Sequence, residues 1–231
     1  ARREVAEIIF RNNNPTVEDY CEKWLLMKSA TISASTLKNY TNAVNKYIVA
    51  PLGNMYLSEV TTDDLLLALA PVSNMSKHMY DQVNMLIKCI FSFAENNNLI
   101  NYNPAVKVPA SGGKPAKKKE VLTDEQMKVL LDAVRGLPPY PFIMIGLYSG
   151  LRREEILALQ WDCVFLDEPT PYISVKRAWR TLNGKAEIST VLKSKAAKRD
   201  IPIPKCLVNC LRDVKADSKS DFVIANHNGE P

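Results

Sequence analysis

Residues Tyr148 to Trp161 read YSGLRREEILALQW, directly after the very apolar run FIMIGLY. Wound as a helix from Gly150 at 3.6 residues per turn, the stretch places Leu151, Ile156 and Leu159 on one apolar arc. Arg152 and Glu155 fall inside that arc, and Arg153 and Glu154 fall outside it. A surface pair at i, i+3 is the bland explanation, and it contributes only about 0.2–0.5 kcal/mol. It fits poorly here, because the positive end of a helix disfavours a cation in its first turn. An anion lying between the guanidinium and outward-pointing backbone N–H groups would reconcile the two, and phosphate is the natural candidate. Glu155 then holds Arg152 in position and does not neutralise a substrate.

The rest of the chain agrees with a polyanionic partner. Its 231 residues, 46% of them hydrophobic, suffice for two ordinary domains, and the net charge of +5 is modest. The distribution is more informative. Residues 105–119 (AVKVPASGGKPAKKK) hold five lysines and no acid, and Lys176 to Arg199 holds eight basic residues against the single acid Glu187. Five scattered cysteines without a CxxC pair argue against a disulfide framework or a zinc site and for a reducing, cytoplasmic setting. Cys206 and Cys210 stand at i, i+4 with no histidine nearby, so they read as ordinary thiols, and no metal is expected. No segment has the length of a membrane span, and the start has no signal-peptide pattern.

Four helical patterns occupy residues 15–104. TVEDYCEKWLLM follows a Thr16 cap and buries Val17, Tyr20, Trp24 and Leu25. SASTLKNYTNAVNKYIV buries Leu37, Tyr40, Val44 and Tyr47 and stops at Pro51 and Gly53. Thr61 or Thr62 caps DDLLLALA, and SKHMYDQVNMLIKCIFSFAENN turns Met79, Val83, Leu86, Ile90 and Phe93 inward. Residues 1–14, with Arg2, Arg3 and Arg11, read as a helical tail, and residues 105–121 as a basic linker without period. From residue 122 to 231 a second domain begins with TDEQMKVLLDAV, whose core face is Met127, Leu130, Leu131 and Val134, and continues with the helix 141–148. Its period then shifts to three β-rich runs, separated by Asn183-Gly184 and by a basic turn around Lys193 to Lys198. Helix returns at 204–215, and DFVIANHNGEP reads as a short strand and a turn that includes His227. The fold class is mainly α with a small antiparallel β-sheet: a helical domain followed by a mixed α/β domain.

SGLRREEILALQW closely resembles the first arginine box of the tyrosine recombinases, the phage-type integrases, with its pattern Gly-Leu-Arg-x-x-Glu-(apolar)-x-x-Leu-x-Trp. LKSKAAKRDIPIP resembles the same family's Lys-Thr-x-x-Ser-x-Arg-x-Ile-Pro segment, with Lys193 and Arg199 at its basic positions and Ser194 and Ala197 in place of Thr and Ser. The helical half is similar to the family's core-binding domain through STLKNY, IVAPLG, LSEVTTDDL and ENNNLINYNPA. The resemblance implies site-specific recombination of DNA without metal or other cofactor. In that chemistry a tyrosine attacks a backbone phosphate, forms a 3′-phosphotyrosyl link and frees a 5′-hydroxyl. Arg152 and Lys193 would be catalytic, the first stabilising charge on phosphorus and the second protonating the leaving oxygen, with Glu155 behind Arg152.

The departure from the family is large. His78 is followed by MYD and His227 by NGE, so neither begins the family's His-x-x-Arg box, and none of the nine tyrosines, of which Tyr172 is the last, takes the nucleophile's place. The chain therefore reads as a DNA-binding and partial catalytic portion that is not expected to turn over by itself. The expected partner is double-stranded DNA, within a homo-tetramer of the family type and without a membrane. The expected contacts are Thr36, Lys38, Asn39, Lys77 and His78 on helix starts and Lys107, Lys117, Lys118 and Lys119 in the linker. Lys176, Arg177, Lys195 and Arg199 complete the set around the basic turn. A non-catalytic DNA-binding protein that keeps the fold is the alternative.

Overall fold

The computed structural model describes residues 14–182, 185–192, 195–226 and 228–229. The predicted tail at 1–14 lies, apart from Asn14, outside them. The chain divides between Lys119 and Glu120 into two compact units.

The first unit is built from α1 (Val17–Ser29), α2 (Ala34–Val44), α3 (Thr62–Ser73) and α4 (Lys77–Asn96). Local chemistry sets the starts. Thr16, Ser33, Thr61 and Ser76 each cap a helix by accepting a backbone N–H three residues on, and Thr61 forms a reciprocal capping box with Asp64. Helix α2 does not stop at Pro51. It widens to a π turn over Asn45–Val49 and continues as Ala50–Leu52. Pro51 supplies a cause, since its ring lacks a donor and in α register would clash with the carbonyl of Tyr47.

Trp24, Ile48, Leu65, Leu86, Ile87, Ile90 and Phe91 fill the core. Phe93, expected inside, is 37% exposed, because α4 buries the ridge through Tyr80, Val83, Ile87, Ile90 and Ala94 instead. Truncating Trp24, which is fully buried, would cost about 3–5 kcal/mol.

The first part of the basic segment is packed down, not loose. Pro104–Lys107 forms a 3-10 turn, Ala105 and Val108 enter the core, and the buried Asn84 donates to the Pro109 carbonyl at 2.7 Å. Lys114 then exchanges backbone hydrogen bonds of 2.7 Å with Met75 and Lys77 at the start of α4. Gly113 makes this approach possible. Its φ is +77°, and a Cβ there would lie 2.9 Å from the Cα of Lys77.

The second unit comprises α5 (Asp124–Val134), α6 (Tyr140–Ser149), the short α7 (Arg153–Leu157) and α8 (Lys205–Asp217). Its strands are β1 (Val164–Phe165), β2 (Tyr172–Val175), β3 (Ala178–Leu182), β4 (Lys185–Ser189) and β5 (Arg199–Pro202). They form two antiparallel sheets and not one, in the orders β1-β2-β5 and β3-β4. Val175 pairs with Arg199 and Ile173 with Ile201, so β5 lies beside β2 although β3 and β4 intervene in the chain. The predicted last strand is reduced to one bridge, Phe222 with Gln160. Ile145, Ile156, Ile173 and Leu207 form the centre of the core. Met127, Leu130, Leu131 and Val134 of α5 are only half-buried.

Gly113→Ala should destabilise the first unit by about 2–4 kcal/mol, the left-handed backbone and the clash acting together. Gly136→Ala, whose φ is also +77° but whose Cβ would meet open space, should cost the second unit about 1–2 kcal/mol. Denaturant unfolding read by tryptophan fluorescence separates the two, because Trp24 reports the first unit and Trp161 and Trp179 the second. Equal costs would mean that Gly112 to Lys114 are not held against α4.

Candidate nucleic-acid interface and phosphate site

The opening stretch folds differently from a single helix. Gly150 adopts φ +62° and closes α6, and Arg152 is the extended N-cap of α7 with φ −69° and ψ 152°. Leu151, Glu155, Ile156 and Leu159 are buried, as the arc requires. Arg152 is not on the buried side. Its side chain is 66% exposed, because the break at Gly150 swings it off the arc. With five residues, α7 also has a weak dipole, so the expected conflict between helix charge and arginine is small.

Glu155 is the centre of the site. Its side chain is 4% exposed, and four donors meet its two oxygens. Oε2 accepts the backbone N–H of Arg152 at 2.9 Å and Nη2 of Arg199 at 2.8 Å. Oε1 accepts Nη1 of Arg152 at 2.9 Å and Nη1 of Arg199 at 3.1 Å. Burial pushes this carboxyl up, but the hydrogen bonds from Arg199 and from the backbone and side chain of Arg152 outweigh it and hold it at about 2. Glu155 is therefore ionised at every physiological pH.

The two arginines divide the work. Arg199, 29% exposed, spends both terminal nitrogens on Glu155 and also donates to the Ala197 carbonyl at 3.0 Å. Arg152 gives Glu155 one of its five donors and leaves an exposed fork with surface for an anion.

The neighbouring strands are tied in the same way. Helix α7 packs against β3. Arg180 of β3 donates to the Val191 carbonyl, and the Ser189 hydroxyl accepts the Val191 N–H at 3.2 Å. Arg177 forms a two-point pair with Asp162, 2.7 Å at each nitrogen. Arg177 and the burial that opposes it leave Asp162 at about 2.

The sequence-derived residues divide accordingly. Lys193 lies outside the described residues, as does His227, and of Lys195 only the backbone, in the 3-10 turn Lys195–Ala197, is described. Arg177 and Arg199, expected on DNA, are engaged by Asp162 and Glu155. Lys176 is exposed with its Nζ 5.8 Å from the Phe165 ring centroid, and Lys107 stands 6.0 Å from that of Tyr102. In the first unit Lys38, Asn39 and His78 are exposed, the Thr36 hydroxyl shares a hydrogen bond with Ser33, and Lys77 pairs with Asp81 at 3.1 Å. Lys117, Lys118 and Lys119 are exposed. No group of three potential metal ligands occurs among the described residues, and no described helix is long and apolar enough to cross a membrane. Sequence reasoning missed the Glu155–Arg199 and Asp162–Arg177 pairs. A buried carboxylate on the arc of Ile156 signals a need for further donors without saying from where.

Comparison with known proteins returns integrases and recombinases. Residues 16–66 match the phage integrase N-terminal SAM-like domain. An integrase of Streptomyces ambofaciens is 26% identical over 204 residues, covering 85% of this chain and 51% of the relative. A XerC-like tyrosine recombinase of Caldanaerobacter subterraneus is 25% identical over 144 residues, 57% of this chain and 36% of the relative. The relatives it matches are thus an integrase and a tyrosine recombinase. It spans about half the length of the Streptomyces relative.

Solved structures of two integrases share the fold. The Tn1549 transposon integrase in complex with circular intermediate DNA superposes with a TM-score of 0.78 at 19% identity, covering 94% of this chain and 73% of that one. A lambda integrase tetramer bound to a Holliday junction gives 0.72 at 17%, with 98% and 64% covered.

Acid sensitivity follows from Glu155. Its folded value of about 2 lies below the ordinary 4.5, so its contribution is complete above about pH 4.5 and is lost as pH falls towards 2. Glu155→Gln should therefore lower stability near neutral pH and flatten the acid limb of a urea-unfolding series between pH 2 and 7, leaving the share due to Asp162. An unchanged acid slope would show that the carboxylate is not held by its arginines.

Proposed function

We propose that the chain is the DNA-binding and partial catalytic portion of a site-specific tyrosine recombinase. The observation that carries this reading is the Arg152–Glu155–Arg199 cluster, in which a buried carboxylate orients an exposed arginine fork beside a strongly basic turn. A phosphodiester under attack gathers negative charge on its non-bridging oxygens, and a cation fixed in advance stabilises it without reorganisation.

In the proposed reaction a tyrosine hydroxyl gives up its proton to the surrounding water, its oxygen bonds to phosphorus, and the bond to the 5′-oxygen breaks. That oxygen takes a proton, the 3′-phosphate remains on the tyrosine, and reversal with a new 5′-hydroxyl joins a different strand. Arg152 would stabilise the charge and Lys193 would protonate the leaving oxygen. The nucleophile is assigned to no residue among the 231. The bond energy is kept in the phosphotyrosyl link, so no cofactor is required. Double-stranded DNA is the proposed partner, with a cytoplasmic location and a tetrameric assembly of the family type. Lys117, Lys118 and Lys119 are proposed phosphate contacts, together with Lys107 and Lys176; Lys38, Asn39, Lys77 and His78 are the proposed contacts in the helical unit.

Two measurements test the reading. Replacing Lys117, Lys118 and Lys119 with alanine should reduce the slope of log affinity against log salt by up to about 2.7. An unchanged slope would remove those lysines from the interface. In the full-length protein Arg152→Ala should slow strand cleavage by at least about a hundredfold with DNA affinity within about tenfold of the parent. Equal loss of binding and cleavage would make Arg152 structural, and salt-dependent binding by a parent that never cleaves would make the protein a non-catalytic DNA binder.

A further inference from the structure

We infer that Arg199 is a positioning residue that supplies the charge by which Arg152 can hold phosphate, acting through Glu155 and not on DNA. The inference rests on the proposed function of Arg152 and adds a second, distant arginine to it.

The argument begins with the isolated pair. Arg152 and Glu155 alone would be electrically neutral, and an arginine closed onto a buried carboxylate has little to offer a phosphate. Arg199 changes that balance. It meets the same carboxylate with two nitrogens at 3.1 and 2.8 Å, whereas the Arg152 side chain reaches it with one at 2.9 Å. Two guanidiniums on one carboxylate carry a net charge of plus one. The inner arginine, 29% exposed, takes the greater share of the carboxylate's lone pairs, and the outer one, 66% exposed, retains its fork.

Geometry limits what else Arg199 can do. Its two terminal nitrogens serve Glu155, and Nη1 also serves the Ala197 carbonyl. A phosphate contact would require breaking those bonds around a carboxylate that is 4% exposed, which is costly. Position is fixed as well, since Arg199 opens β5 opposite Val175 of β2. The sheet therefore delivers one cation to the back of the carboxylate while α7 delivers the other to its front.

The test uses charge restoration in the full-length protein. Arg199→Met leaves the cluster neutral and should slow strand cleavage by about tenfold to a hundredfold, while in an Arg152→Ala background it should leave the salt dependence of DNA binding unchanged. Adding Glu155→Gln to Arg199→Met returns the cluster to plus one and should recover at least about half of the lost rate on a logarithmic scale. Arg199→Lys, which keeps the charge and guards against a variant that fails to fold, should stay within about tenfold of the parent.

Three results would overturn the inference: full cleavage by Arg199→Met, a salt slope lowered by about one unit when Arg199→Met is added to Arg152→Ala, or an Arg199→Met, Glu155→Gln variant as slow as folded Arg199→Met alone. The first makes Arg199 dispensable, the second makes it a phosphate contact, and the third makes it a matter of shape. Failure of the underlying reading looks different, because Arg152→Ala would then leave cleavage unaffected.

Discussion

A buried carboxylate must be compensated, and in this chain the compensation of Glu155 organises the second unit. Removing an ionised carboxylate from water costs several kcal/mol even after relaxation, so it persists only where donors surround it. Here the donors arrive from two directions. Helix α7 brings the Arg152 backbone and side chain from three residues away, and β5 brings Arg199 from 44 residues further along. The short helix, the β2–β5 pairing and the exit of the basic turn are thus fixed by one set of hydrogen bonds. A surface ion pair of the same composition would fix none of them.

This constraint explains why the exposed arginine and the basic turn belong to one device. Arg180 ties the turn's entry through Val191, and Arg199 ties its exit through Ala197 and Glu155. The carbonyls of Val191 and Ala197 accept from these arginines without neutralising charge, and although Glu155 and Asp162 pair with Arg199 and Arg177, the segment from Lys176 to Arg199 keeps an excess of cations. The first unit follows a different logic. Its four capped helices enclose an apolar core, and the Gly112 to Lys114 strap leads the chain off the start of α4 into a lysine run.

Much of this was legible from local chemistry. Thr16, Thr61 and Thr123 announce helix starts because a cap needs only residues three apart, and the structure has all three. Phe93 lies outside the core because helical spacing of three or four residues permits two adjacent ridges, and only packing against the other helices chooses between them. Spacing alone lets a helix start at Gly150, yet a glycine at a left-handed angle ends the preceding helix, and that shift carries Arg152 out of the buried arc. The partners of Glu155 and Asp162 could not be read, because they cross from strand to helix at separations no local pattern encodes. The resemblance supplied Arg199 as a basic position, and the structure shows what that arginine touches.

The proposed role of the Arg152 fork is to neutralise a non-bridging oxygen of the phosphate being cleaved. Its most direct measurement is single-turnover cleavage of DNA in which that phosphate is replaced by an uncharged methylphosphonate. If the fork acts on that charge, Arg152→Ala is strongly impaired on ordinary DNA and cleaves the neutral linkage at close to the parent's rate. Equal impairment on both linkages would contradict the account.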